Sequence, residues 1–453
     1  MRDKVWAIVD SWRVPRQYSG VLAVPCNFYL LTFFTRAVAH RKLVSGHVLN
    51  VLTPLPANTP ERLPAAGAVV RISRGFRPVR ATDVGGARLG TRCTGSGTGH
   101  TKPVWGVFAV VVGGFADRIG AVKVMLVAIV LYGSGMWLMA DSTTELQIIS
   151  SAGLLVGAGI AGTSFGIVLP LIAKAVPAER RAQALGIGTA AGSFGQFLVV
   201  PILQEVVDAF GWLQALHLMG VSALLMIVLA LSMARLVNVS APTDDMASKQ
   251  SLRQIAWQAL QVSSYTLLVL GFFVCGFHVA FITVHMPGYL VDLGFPAQVG
   301  AWSISLIGLC NVFGAYYTGV LSARYQMRMI LSVLYFGRVI AISAFLILPV
   351  TLPSILVFSA GMGFLWLATV PPSSGLVAVF FGTRYMTFLY GIVFLSHQIG
   401  SFIGIWLGGQ LYEMYGNYDA IWLLGIILGL LAALLHWPIE ERDYSARLQS
   451  MPL

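Results

Sequence analysis

The chain has 453 residues, of which 57% are hydrophobic and only 10% charged, and its mean hydropathy is +0.78. A soluble chain of this size needs far more charge to cover its surface, so the soluble classes are excluded and a polytopic membrane protein remains. The net charge of +11 gives no case for nucleic acid, because residues 1–100 hold fourteen Lys and Arg against four Asp and Glu, while residues 101–453 hold fifteen against fourteen.

Residues 1–102 read as an atypical, basic and largely disordered segment. An apolar run from Gly20 to Phe34 is weakened as a span by Pro25 and Asn27. With Arg2 and Lys4 ahead it faintly resembles a secretory signal, but Arg36 sits against the cleavage position. From Arg41 to His100 no helical period is present, and the Arg, Gly, Pro and Thr content reads as coil. Four scattered cysteines, Cys26, Cys93, Cys275 and Cys310, show neither a CxxC pair nor metal spacing. Cys275 and Cys310 fall in apolar runs, where a thiol is usually a small hydrophobe.

The body then alternates apolar runs with short turns. Helices are expected over 103–115, 121–140, 147–175, 182–206, 212–235, 264–287, 298–321, 329–350, 353–378, 386–411 and 419–437. This divides the chain into a bundle over 103–235, a polar linker over 236–262, a second bundle over 263–438 and a tail over 439–453. Arg118, Lys123, Lys174, Arg180, Arg181, Arg235, Lys249, Arg253, Arg324, Arg328, Arg384, Arg442 and Arg447 all fall on alternate loops. By the positive-inside rule those loops, the linker and the C-terminus are cytoplasmic.

Two internal repeats tie the bundles together. Gly113-Gly-Phe-Ala-Asp117-Arg118-Ile-Gly120-Ala-Val-Lys123 has a worn copy 206 positions later, Gly319-Val-Leu-Ser-Ala323-Arg324-Tyr-Gln-Met-Arg328. Gly195, Gly211, Ala215 and Gly220 recur as Gly400, Gly416, Ala420 and Gly425, an offset of 205. The expected fold is all-α: two pseudo-symmetric bundles related by an axis along the membrane normal, nominally of twelve spans. About eleven are recognisable. The partner of the helix at 264–287 falls near 58–81, where Asn58-Thr-Pro-Glu-Arg-Leu-Pro cannot span a bilayer. The first hundred residues are therefore read as foreign to the body, through a shifted frame, a wrong start or a fusion, against a genuine divergent extension.

Gly113-x-Phe-Ala-Asp117-Arg118-x-Gly120 resembles the loop motif between helices two and three of the major facilitator superfamily, although Ala121 and Val122 depart from its basic pair. Arg180-Arg181-Ala-Gln-Ala-Leu-Gly186 onward, and Phe381-Gly-Thr-Arg384 through Ser396-His397-Gln398-Ile-Gly400, are similar to bacterial monocarboxylate-porter-like members. The resemblance covers about 103–440. It implies a central cavity lined by the first, fourth, seventh and tenth helices of each nominal twelve, and rocker-switch alternating access. It also implies that His278 faces that cavity. The fourth of those helices, 147–175, lacks the mid-helix Arg tied to proton relay in many members, and the fifth has no Gly-Pro pair.

Polar groups in mid-membrane are expensive and default to functional candidates. Arg338 is the one base placed there, either as counter-charge to an anionic substrate or as a partner of backbone carbonyls between helices. His278, His397, Gln398, Asn311, Gln196, Ser373 and Ser374 complete the substrate-binding candidates, each weighed against a plain helix–helix hydrogen bond. The gating candidates are Gly113, Asp117, Arg118, Gly120, Gly319, Arg324 and Arg384. Asp117 is expected to accept from the N-terminus of the helix at 386–411, near Arg384, as a latch. Gly157-Ala-Gly159-Ile-Ala-Gly162 matches a dinucleotide fingerprint but lies in an uncharged helical run, where small residues serve packing.

The function expected is secondary transport of a small organic anion such as a monocarboxylate, coupled to protons, with no cofactor, no metal and no enzyme chemistry. Efflux of neutral or hydrophobic compounds, and a non-transporting membrane protein, are the alternatives. A monomer in the bacterial inner membrane is expected, with a small solute and the lipid bilayer as its partners and no nucleic acid.

Overall fold

The structure is a computed structural model and describes residues 91–237 and 251–448. The run at 20–34, the coil expected over 41–90 and Lys249 lie outside the described residues. Eleven long helical stretches correspond to the eleven expected, and a short twelfth is added by the linker.

The first bundle contains α1 (Thr91–Ile119), α2 (Ala121–Ala140), α3 (Leu146–Ala175) and one continuous stretch, Ala178–Val237. That stretch is split at Gly211 (φ 82°, ψ 163°) into α4 (178–210) and α5 (212–237). A left-handed φ there costs a glycine nothing, which makes this residue the turn. After the short α6 (Leu252–Leu260), the second bundle holds α7 (Ser263–Asp292), α8 (Ala297–Ser322), α9 (Met327–Ile347), α10 (Leu352–Phe381), α11 (Met386–Tyr415) and α12 (Asp419–His436). Nine stretches among the described residues are long and apolar enough to cross a bilayer. Their outer faces carry exposed Val127, Leu224, Val333 and Val357, as a lipid-facing surface requires.

Four expectations need correction. First, α1 starts at Thr91 rather than at 103, so residues 91–102 are helical and not coil. Second, α3 is not one regular helix. A π-helical turn occupies Ile149–Leu155, and the chain breaks at Ser164 (ψ 179°), whose side chain caps the next segment by accepting from the Gly166 N–H at 3.4 Å.

Third, α10 is broken between Leu352–Leu365 and Val370–Phe381, with Trp366 at ψ −84°. Pro371 and Pro372 explain the break: neither can donate to the carbonyl four residues before it, at Leu367 and Ala368, while both fit the first turn of a new helix. Fourth, the polar linker contains α6, started by a capping box in which Ser251 and Gln254 bond reciprocally. Ile255 and Ala259 turn inward, while Arg253, Trp257 and Leu260 are exposed.

Close helix contacts follow the glycines. In the run Gly157–Gly162, a β-carbon on Gly159 would stand 2.6 Å from the Tyr132 nitrogen, so the glycine lets α3 lie directly on α2, as the packing reading expected. Between the bundles the pattern is two-fold. On α1, Gly113 meets the Thr387 carbonyl of α11, and Gly391 meets the Ala109 carbonyl in return. On the other side, Gly319 of α8 meets Gly186 of α4, and Gly186 meets the Ala315 carbonyl. Gly113 and Ala109 correspond to Gly319 and Ala315 at the 206 offset, and Gly391 corresponds to Gly186 at 205. Both seams lie toward the end of the molecule that carries the basic loops.

A β-carbon on Gly186 would stand 2.6 Å from the Cα of Gly319, where backbone and not a flexible side chain is in the way. Gly186→Val is expected to destabilise the purified protein by about 1–3 kcal/mol, read as a lowered melting temperature. An unchanged melt would mean that this seam is not closed in solution.

Candidate functional site

Two groups of polar side chains stand out, one at the basic end of the seam and one half way along the spans. At the basic end the Asp117 side chain is 1% exposed. Its Oδ1 accepts from Lys174 Nζ at 2.7 Å, and its Oδ2 accepts from the Phe388 N–H at 2.8 Å. The second contact uses a free donor in the first turn of α11, where the helix dipole also favours a negative charge. Lys174 Nζ additionally reaches Thr387 Oγ1 at 3.5 Å, so one carboxylate joins α1, α3 and α11.

Gly120 opens α2 at φ 100°, ψ 134°, with nothing within 4 Å of a built β-carbon; backbone freedom rather than space calls for glycine there. Arg118 and Arg324 are exposed on this face. Arg384 lies over the Tyr385 ring at 5.3 Å, and the α11 group that meets Asp117 is the Phe388 amide. In the worn copy Ala323 brings no acid; nearby, Glu441 caps the N-terminus of α9, its Oε1 accepting from the Arg328 N–H at 2.8 Å. Burial lifts that carboxyl above its ordinary range, and the amide contacts pull it back.

Half way along, the α10 break exposes backbone groups that must find partners inside the membrane. Arg338 supplies them: Nε and Nη2 donate to the Leu365 carbonyl at 3.2 and 2.9 Å, and Nη2 also donates to the Trp366 carbonyl. The guanidinium is 0% exposed and lies over the Tyr335 ring at 5.1 Å. Of the two sequence readings, the one that pairs Arg338 with carbonyls is the contact observed. Asn311 takes the other side of the break. Its Oδ1 accepts from the Leu367 N–H at 2.8 Å, while its Nδ2 donates to Ser193 Oγ at 2.7 Å on α4. One amide thus connects the broken helix to the opposite bundle.

The remaining candidates separate. Gln398 packs on Gly106 of α1, and its neighbour His397 stacks on Phe394 at 5.4 Å, which in turn meets Trp105 at 5.3 Å. These face the junction of the bundles. Gln196 is half-buried one turn beyond Ser193. Ser373 and Ser374 donate to their own helix, at the Thr369 and Val370 carbonyls. His278 does not face the junction as expected; its ring nitrogen contacts the Gly425 carbonyl of α12 at 2.8 Å.

Lys174, Ser193, Trp105 and Cys275 were not among the candidates. Cys275 was read as a small hydrophobe, yet its sulfur lies 3.2 Å from Thr369 Oγ1 and 3.5 Å from Arg338 Nη2. Only the mid-span position of Arg338 hinted that something polar would be needed beside it. Among the described residues no group of three or more His, Cys, Asp or Glu is placed to hold a metal ion.

Comparison with known proteins agrees with this fold. Monocarboxylate transporter 12 of mouse is 24% identical over 325 residues, 65% of this chain. The match spans 66% of that relative's length, just under two thirds. The uncharacterized MFS-type transporter YhjX of Escherichia coli K12 is 25% identical over 306 residues, covering 64% of this chain and 72% of its own. The human organic anion transporter MFSD10 has the same fold, with a TM-score of 0.60 at 16% identity over 94% of this chain and all of its own. The family description Major Facilitator Superfamily matches residues 98–405. With more than half its length matched and its two bundles joined along paired glycine seams, the chain belongs to the Major Facilitator Superfamily.

Proposed function

We propose that this protein is a proton-coupled carrier of a small organic anion of the monocarboxylate class, working by alternating access. The observation that carries the reading is the group of monocarboxylate transporters among its relatives. The solute site is the junction half way along the spans, bordered by Trp105, His397 and Gln398 on one seam and by Gln196 and Asn311 on the other. Arg338 lends positive potential from behind the α10 break and does not itself meet the solute. Such a field favours an anion over its neutral analogue in a low-dielectric interior.

Sidedness comes from the charges. With the basic loops on the cytoplasmic face, Asp117 and both glycine seams close that face, and the C-terminus lies beneath it. Opening it requires Asp117 to release the α11 amide and both seams to part together. Gly113, Asp117, Gly120, Gly319 and the exposed Arg118, Arg324 and Arg384 belong to this gate. A solute drives the cycle only through its differential affinity for the two states.

The test is uptake into liposomes that contain the purified full chain, using labelled acetate, lactate and pyruvate under an imposed pH gradient. Accumulation that follows the gradient supports the reading. Uptake of neutral hydrophobic compounds without carboxylates would favour the efflux alternative, and binding without any translocation would favour a non-transporting protein.

A further inference from the structure

Inside the second bundle, where α7, α9, α10 and α11 meet, a concentration of buried polar groups lies behind the solute site and shares His397 with it. Cys275 is 0% exposed, and its sulfur touches Thr369 Oγ1 from α10 and Arg338 Nη2 from α9. From α11, His397 interacts with the same sulfur and lays its backbone against Gly276, the residue after Cys275, while the Tyr335 ring lies under the Arg338 guanidinium at 5.1 Å. Arg338 Nη1, Tyr390 Oη and His397 Nδ1 are buried with no protein partner. A cysteine that only fills space needs none of these neighbours. Nor does any carboxylate among the described residues come within ion-pair distance of Arg338, so its charge meets only carbonyl dipoles, a ring face and this sulfur.

The second bundle itself narrows the choice of proton carrier. From α7 to α11 the acidic residues are Asp292 and Glu413, both near helix ends away from mid-span. Asp117 is held in its ion pair at the basic end. His278, His285 and His436 each spend a ring nitrogen on a backbone carbonyl, at Gly425, Ile405 and Ala432. His397 differs. It adjoins Gln398, which meets α1, and its ring joins the Phe394 and Trp105 stack that crosses between the bundles.

We propose that Cys275 and His397 hold the coupling proton of the transport cycle between them, with Arg338 as the fixed counter-charge. The proposal rests on the proton-coupled reading above and names the residues that carry the proton. In the loaded pair the sulfur is a thiol beside a neutral imidazole. On unloading, one proton leaves the sulfur through the imidazole, whose own proton count is restored. The thiolate left behind is balanced by the guanidinium. No electron transfer and no other reactant is involved. Arrival of an anionic solute within the field of Arg338 weakens the guanidinium's hold on a thiolate, so anion and proton are expected to load together.

The experiment compares two rates in liposomes holding the full chain: accumulation of labelled lactate under a pH gradient and lactate exchange at equal pH. In the unaltered protein the gradient raises accumulation above the exchange level. For Cys275→Ala the ratio is expected to fall to one, while Cys310→Ala, outside the cluster, keeps the ratio of the unaltered protein. A Cys275→Ala protein that still accumulates like the unaltered one overturns the proposal.

A second measurement does not depend on the solute or on that variant's folding. The infrared S–H band of Cys275, assigned by difference from Cys275→Ser, is expected to change with buffer pH in the unaltered protein. A band indifferent to pH would overturn the proposal even if the carrier moves carboxylates. Absence of carboxylate uptake by the unaltered chain would instead overturn the functional reading.

Discussion

Replacing Asp117 by Asn is expected to reduce transport about tenfold or more and to populate a form open on the basic face. The substitution keeps the shape of the side chain and removes only its charge. Lys174 then loses its ion pair at 2.7 Å, and the α11 amide at Phe388 keeps at best a neutral acceptor. Hydrogen bonds to a charged group contribute about 1.5–3 kcal/mol each, and a neutral amide recovers roughly half. A loss of about 1.4 kcal/mol from the closed form alone shifts its balance with the open form tenfold. The glycine seams remain, so folding is expected to survive; a nearly unchanged melt together with slow transport separates a gating effect from unfolding. Transport and conformer balance equal to those of the unaltered protein would mean that this carboxylate is only a turn cap.

Arg338→Ala is expected to have the largest effect on stability. It removes donors from the carbonyls of Leu365 and Trp366 and leaves them unpaired in an interior that holds no competing partner. It also opens a cavity the size of the lost side chain. Together these costs amount to about 3–5 kcal/mol, seen as poor expression or a much lower melting temperature. Arg338→Lys keeps the charge without the planar fork, so it cannot hold both carbonyls and the sulfur at once, and an intermediate melt is expected. If Arg338→Ala melted like the unaltered protein, the α10 break would not depend on this side chain.

Much of this arrangement was legible in the residues themselves. Long uncharged runs separated by basic turns located eleven helices, because a bilayer tolerates little else. The 206 offset revealed the doubling, since paired glycines mark where backbone meets backbone in both seams. The contact of Asp117 with the start of α11 was expected from the resemblance of its loop motif to the superfamily's. Other features needed the third dimension. Arg338 stood out as a base in mid-span, but what it meets depends on a break in another helix. That break had a local sign in Pro371 and Pro372, masked by the apolar run around them. The capping box at Ser251 and Gln254, with Ile255 and Ala259 at helical spacing, marked α6 within a stretch whose polarity suggested only a linker. Cys275 acquires its neighbours from four helices, and nothing local announces them. His278 turned toward α12 because the backbone carbonyl of Gly425 is within its reach.

The central claim is that two bundles separate on the basic face when Asp117 lets go. Spin labels at exposed Lys123 on the first bundle and exposed Arg324 on the second measure that separation directly. In the unaltered protein a single short distance is expected, joined by a second, longer population in Asp117→Asn and on addition of transported solute. One distance, unchanged by the substitution and by every solute that the protein moves, would contradict the account.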